Sequence, residues 1–185
     1  ELNSATDNPL IFVDEEGGFE VISGGNFHGE NLAITADNLA VCAHELASIS
    51  ERRTNLIMSP KWSGQKAFLS NTEGLDSGMM IIQYVSAACV AELHLLANPS
   101  STSNIPVSMG KEDHVSMGST ATHRLLSSSE LLSKVLANEL ICSCEAINRT
   151  ELKPGVGVSR IFGLITQIVP PLIEDRPLSQ STELV

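Results

Sequence analysis

Lys111-Glu112-Asp113-His114 places two carboxylates, an ammonium group and an imidazole on four consecutive residues. Such a set can take up a proton, give one away, or hold a cationic or imidazole group. Asp113 stands just ahead of an expected helix, where a carboxylate offsets the unpaired N–H groups of the first turn. Glu112 reads two ways, as a second contributor to that helix end or as a carboxylate free to point into a pocket. The second polar junction is Gly24-Gly25-Asn26-Phe27-His28. Its glycines permit a turn closed to residues that carry a Cβ, and Asn26, Phe27 and His28 are displayed just before a helix. For His28 and His114, each bordering a helix start, capping and functional roles stand level. His44, His94 and His123 fall inside helices without the i, i+4 partners of an HExxH ligand set, so core or interface hydrogen bonds are expected of them.

Other motifs carry less chemistry. Gly155-Val156-Gly157-Val158 follows a helix and a proline rather than a strand, which argues against a dinucleotide phosphate loop. The four cysteines, Cys42, Cys89, Cys142 and Cys144, are expected as buried free thiols within helices. Cys142 and Cys144 point about 200° apart around a helix, which is wrong for shared ligation, and no metal site is expected. A formal net charge of −11 removes nucleic acid and anionic membrane surfaces as partners, because both require basic patches. No stretch is apolar for long enough to span a bilayer and no leader-like segment opens the chain, so a soluble, cytoplasmic protein is expected. The chain of 185 residues begins Glu1-Leu2-Asn3 without an initiator methionine and is read as a possible piece of something longer.

The elements that must position these residues are mostly helices. Leu10–Val13 and Phe19–Ile22 are short apolar, partly β-branched runs around Asp14-Glu15-Glu16-Gly17-Gly18, which predicts a small hairpin over about 10–23. Helices are predicted over about 30–57, 77–97 and 114–150, with a shorter one over 158–168. In the first, Leu32, Leu39 and Leu46 recur every seven residues while Ala33, Ala36, Ala40, Ala43 and Ala47 keep other faces thin. In the second, Ile82, Cys89, Leu96 and Met79, Ser86, Leu93 form two such columns. Ser127 and Glu130 read as a capping box within the third. Trp62, Phe68 and Leu69 are expected to pin the intervening loop against the bundle, and the polar stretch from Ser100 to Glu112 reads as a binding segment or lid. The fold class is all-α, a long-helix bundle with a small N-terminal β-hairpin, and residues 1–185 form one helical part without an internal repeat.

Four separated motifs then stand in order: Ser4-Ala5-Thr6-Asp7-Asn8-Pro9-Leu10, Gly24-Gly25-Asn26-Phe27-His28-Gly29, Ser50-Glu51-Arg52-Arg53 and Lys111-Glu112-Asp113-His114-Val115-Ser116-Met117-Gly118. With Glu174-Asp175-Arg176-Pro177-Leu178-Ser179 near the end, the chain resembles the C-terminal part, roughly the last third, of the histidine ammonia-lyases in the aromatic amino-acid ammonia-lyase family. The resemblance implies a larger, mainly helical homotetramer assembled through its long helices, acting in histidine catabolism. It implies elimination of ammonia from L-histidine to give urocanate. It also implies an electrophilic 4-methylidene-imidazol-5-one cofactor formed from an internal Ala-Ser-Gly, a tripeptide that does not occur among these residues. Carried over by motif, Asn8 and Phe27 would line the pocket around the cofactor, and Glu112 would face the substrate imidazole or assist proton transfer. The family's upstream asparagine, tyrosines and carboxylate-binding arginine have no counterpart here, so the 185 residues alone are expected to be inactive. The family usually has Gln where this chain has Lys111, which alters the charge beside Glu112.

The alternatives are a helical scaffold or assembly module without chemistry of its own, and another ammonia-lyase or an aminomutase using the same cofactor. The columns Leu32-Leu39-Leu46 and Ile82-Cys89-Leu96 offer more apolar surface than three or four helices can bury among themselves. Self-association is therefore expected, and light scattering across micromolar concentrations checks it: a monomer throughout would count against the bundle.

Overall fold

The computed structural model describes residues 1–185. Strands β1 (Leu10–Val13) and β2 (Phe19–Ile22) pair antiparallel with Leu10 opposite Ile22 and Val13 opposite Phe19. Asp14 closes their loop by accepting the N–H groups of Glu16 and Gly18 on one carboxylate oxygen. Six helices follow: α1 (Glu30–Met58), α2 (Pro60–Ser63), α3 (Met80–Leu96), α4 (Gly118–Asn148), α5 (Val156–Ile168) and α6 (Ser179–Leu184). The architecture is all-α with one hairpin. No helix is long and apolar enough to cross a membrane.

The chain forms two compact units, one of residues 1–42 and 96–127, the other of 43–95 and 128–185. In the first, Ala33, Ala36 and Ala121 pack with Leu125. In the second, Ala47, Cys89, Leu93 and Val135 form one cluster, and Met58, Leu69, Met79, Ile82, Ile141, Cys142, Val169 and Leu172 form another. The two columns predicted on α3 face inward, with Ile82, Ser86, Cys89 and Leu93 all buried.

On α1 the thin faces take the close neighbours, as expected. Its alanines are the buried face, at 7% exposure or less, whereas Leu39 is 50% and Leu46 43% exposed. Alanine lets helix backbones approach closely, so the thin face takes the nearest neighbours and the bulky column is turned outward. Other boundaries shift for local reasons. Gly118 begins α4, and its N–H donates to Ser116 Oγ, so Asp113 lies five residues ahead of the helix and does not cap it. The helix then runs unbroken to Asn148, which leaves Ser127 and Glu130 in its interior rather than in a capping box. Ahead of α3, the N–H groups of Ser77 and Gly78 donate to Asp175. Gly78 there has φ +57, and a Cβ on it would lie 2.5 Å from the Phe68 carbonyl oxygen. Trp62 is 67% exposed and pins nothing; Leu69, fully buried, does that work. Cys42 is exposed, while Cys89, Cys142 and Cys144 are buried, and burial pushes the Cys142 thiol far above its ordinary range. Gly155 is the N-cap of α5, the start of a helix preceded by loop rather than strand.

Polar ties hold the second unit together. Asn138, fully buried on α4, donates to Ser86 of α3 and accepts from Thr182 of α6. Glu145 pairs with Arg149 and accepts the Leu172 N–H, and Arg149 donates to the carbonyls of Ser70 and Leu172. Glu139 accepts from Ser50 Oγ at 2.6 Å and from the Arg53 guanidinium. Burial works to raise the Glu139 pKa, but the hydrogen bonds from Arg53 and Ser50 prevail and hold it below the usual carboxylate range. A lowered folded pKa means that this stabilisation is complete above the ordinary carboxyl value of about 4.3 and is lost as pH falls through the folded value. Glu139→Gln should cost about 1–2 kcal/mol at pH 7, at the lower end for a charged hydrogen bond because Arg53 is half exposed. Melting temperatures of parent and variant should converge as the pH is taken from 7 to 3.

Candidate active site

All the residues singled out for chemistry on the two polar junctions lie in the first unit. Glu112 is carried by a hairpin-like turn in which Val107 and Glu112 exchange both backbone hydrogen bonds, at 3.0 and 3.3 Å. Ser108, Met109 and Gly110 between them all have positive φ, so the loop doubles back within three residues. Asn104 clamps the next stretch, donating to the Asp113 carbonyl at 3.0 Å and accepting the Val115 N–H at 2.8 Å. The start of the segment is tied to α1, because Asp37, 4% exposed, accepts the Ser101 N–H at 2.7 Å. Burial opposes the charge on Asp37, but the backbone N–H groups of Ser101 and Ser100, with Arg124 nearby, hold its pKa below the usual range. Arg124 also donates to Ser100 Oγ at 3.0 Å.

The other junction is a 3₁₀ turn over Asn26–His28, closed by Gly29 at φ 68, which leads into α1. Ser116 Oγ donates to the His28 carbonyl and so fastens the end of the Glu112 loop to this turn. His28 Nε2 then lies 3.5 Å from Glu112 Oε2. The Phe27 and His28 ring centres are 4.1 Å apart, and the His114 ring meets His28 edge-on at 5.8 Å. His114 Nε2 in turn lies 3.1 Å from Glu30 Oε2. The fold therefore gathers Phe27 and Glu112 around one imidazole. Asn8 lies at the entry to the same turn, where its Oδ1 accepts from Ser23 Oγ at 2.9 Å and the Gly24 N–H at 3.4 Å, with no hydrogen bond to Phe27 or Glu112.

The arrangement can do three things. An open carboxylate can accept a hydrogen bond or a proton, an exposed aromatic face can stack on a planar group, and an imidazole between them can donate or accept a hydrogen bond. Sequence reasoning missed Glu30, Asp37 and Asn104. For Asp37 a signal existed: it lies four residues after Ala33 and three before Ala40, an acidic side chain on a face otherwise made of alanine. Asn104 has no such signal, since its partners are backbone groups 9 and 11 residues away. No group of three or more His, Cys, Asp or Glu residues is placed to hold a metal ion. A groove of about 630 Å³ belongs to the second unit and is lined mainly by α3, α4, α6 and the segment before α6, and none of the residues named for chemistry lines it.

A sequence model of the aromatic amino acid lyases matches residues 1–167, and the chain belongs to that family. Among its relatives, the histidine ammonia-lyase of Deinococcus radiodurans is 48% identical over 176 residues, which is 95% of this chain and 33% of that protein. That of Myxococcus xanthus is 44% identical over the whole of this chain and 36% of its own length. The chain thus spans about a third of the length of these relatives. The crystal structure of histidine ammonia-lyase from Trypanosoma cruzi superposes with a TM-score of 0.92 at 38% identity, covering 99% of this chain and 36% of that one. The phenylalanine aminomutase of Pantoea agglomerans gives 0.91 at 29% identity, with the same two coverages.

The anchoring of the Glu112 loop rests heavily on one carboxylate. Asp37→Asn keeps the shape but removes the charge that the Ser101 N–H meets, and should cost about 1.5–3 kcal/mol. Amide hydrogen exchange should accelerate in residues 98–113 and stay unchanged in α5; equal exchange in parent and variant would show that the loop is held without Asp37.

Proposed function

We propose that this chain is the C-terminal part of an enzyme that eliminates ammonia from L-histidine to give urocanate, and that Glu112, Phe27 and Asn8 face its pocket. The observation that carries the reading is the contact of Glu112 with the imidazole of His28. A carboxylate already set to meet one imidazole edge is placed to meet another, and a phenyl ring would give it nothing to bind. Relatives named as histidine ammonia-lyases, matched over 95–100% of the chain, support the substrate.

The residues present fit one wall of such a pocket. Phe27, 38% exposed, offers an apolar face, Glu112 an open carboxylate, and the Gly24 turn an amide-lined edge held by Asn8. When bound, the 4-methylidene-imidazol-5-one implied by the family supplies the electrophile that makes the amine a leaving group, and its Ala-Ser-Gly precursor lies outside these residues. On this side of the pocket Phe27 stacks on and orients the imidazole ring, and Glu112 accepts its N–H or a proton passed from it. The net change is loss of one β-proton and of the amine, leaving a carbon–carbon double bond. The exposed Leu39, Leu46 and Ile49 on α1 support assembly with further helices, including those of other copies in a homotetramer. The likeness to an aminomutase supports a second reading, in which the amine is returned to the neighbouring carbon, and product analysis separates the two.

The test is Glu112→Gln in the full-length enzyme, which keeps size and hydrogen bonding but loses charge and basicity. A fall in kcat/KM of about 10²–10⁴-fold with unchanged melting temperature is expected. Near-normal urocanate formation with a melting point lowered by about 1 kcal/mol or less of stability would reduce Glu112 to a structural role.

A further inference from the structure

We propose that Asn104 is a positioning residue that acts through Glu112 by fixing the main chain that aims its carboxylate; this rests on the reading of Glu112 above. The Asn104 amide spans two main-chain groups that flank His114. Nδ2 donates to the Asp113 carbonyl at 3.0 Å, and Oδ1 accepts the Val115 N–H at 2.8 Å. These partners fix the orientation of the amide, because a flipped group would set oxygen against carbonyl and NH2 against N–H. Both ends of the side chain are therefore in use. Aspartate would offer only acceptors here, and an apolar residue of the same size neither function.

Every residue from Glu112 to Ser116 is tied. Glu112 exchanges both backbone hydrogen bonds with Val107, His114 Nε2 lies 3.1 Å from Glu30 Oε2, and Ser116 Oγ donates to the His28 carbonyl. Asn104 alone supplies the two main-chain ties between the Val107 pair and Ser116. Glu112 and His114 are alternate residues, and both reach His28: Glu112 Oε2 lies 3.5 Å from its Nε2, and the His114 ring lies 5.8 Å away between centres. Alternate residues share a side only while the backbone between them stays extended. Asn104 bonds the carbonyl before His114 and the N–H after it, so it holds the chain where a turn would break that alternation. The Val107 pair cannot do this by itself, since it closes a turn in which Ser108 and Met109, neither of them glycine, have φ of 53 and 59. Such conformations cost energy and persist only where the surroundings over-determine them.

The experiment is a double-mutant cycle in the full-length enzyme, with parent, Asn104→Ala, Glu112→Gln and the double variant compared for urocanate formation and for amide hydrogen exchange. Asn104→Ala should lower kcat/KM by about 10–10²-fold, the scale of loss when a reacting group is misplaced by about 1 Å. In the Glu112→Gln background the same change should cost about three-fold or less, because the group that Asn104 aims has already lost its function. The Val115 amide should exchange faster in Asn104→Ala whether or not Glu112 is present, and this readout needs no activity. Equal losses of kcat/KM in the two backgrounds would make Asn104 a support of the fold at large and overturn the inference, while leaving the reading of Glu112 standing. Unchanged kcat/KM or unchanged Val115 exchange in Asn104→Ala overturns it as well. Near-normal turnover in Glu112→Gln instead defeats the reading of Glu112, and the inference with it. Should Asn104→Ala melt early, Asn104→Asp, which keeps the acceptor for Val115 and loses the donor to Asp113, takes its place in the cycle, and equal losses in the two backgrounds again overturn the proposal.

Discussion

The buried carboxylate of Asp37 is the interaction on which the candidate site depends. It sits on the alanine face of α1 and satisfies the N–H of Ser101, so a long polar segment leaves α3 in a defined direction. A charge is costly to bury, and here it is made tolerable by backbone amides and by Arg124. Asp37 and Arg124 hold the start of the segment, and Asn104 and Ser116 hold its end.

The same logic of small residues and few polar ties runs through the second unit. Ser86, Asn138 and Thr182 form a connected polar line through its interior, and Glu139 and Glu145 each find an arginine. These contacts specify which helix face meets which, a task that alanine and serine surfaces perform poorly by apolar packing alone.

Much of this was legible in the residues. Proline and glycine marked where α1 ends and where the hairpin turns, and seven-residue columns on α3 pointed inward as read. The motifs around Asn8, Phe27 and Glu112 pointed to the family before any coordinates. What escaped was of two kinds. Periodicity alone cannot say which of two apolar faces a helix buries within its own chain, and on α1 the alanines take that place while Leu39 and Leu46 stay exposed. Local capping rules also lose to continuity: Ser127 and Glu130 match a helix start, yet a helix begun at Gly118 has no reason to stop for them. Contacts between a side chain and distant backbone, such as those of Asn104, leave no pattern at all.

The segment that carries Glu112 is held almost wholly through main-chain groups: the Ser101 amide, the Asp113 carbonyl, the Val115 amide and the Val107–Glu112 pair. The side chains at its tip, Ile105, Val107 and the fully exposed Met109, take little part. Shape and lettering are therefore separable here. Ile105 and Val107 can therefore change type without disturbing the main-chain ties that place Glu112, whereas Gly110, at φ +81, is held to its type by the turn itself.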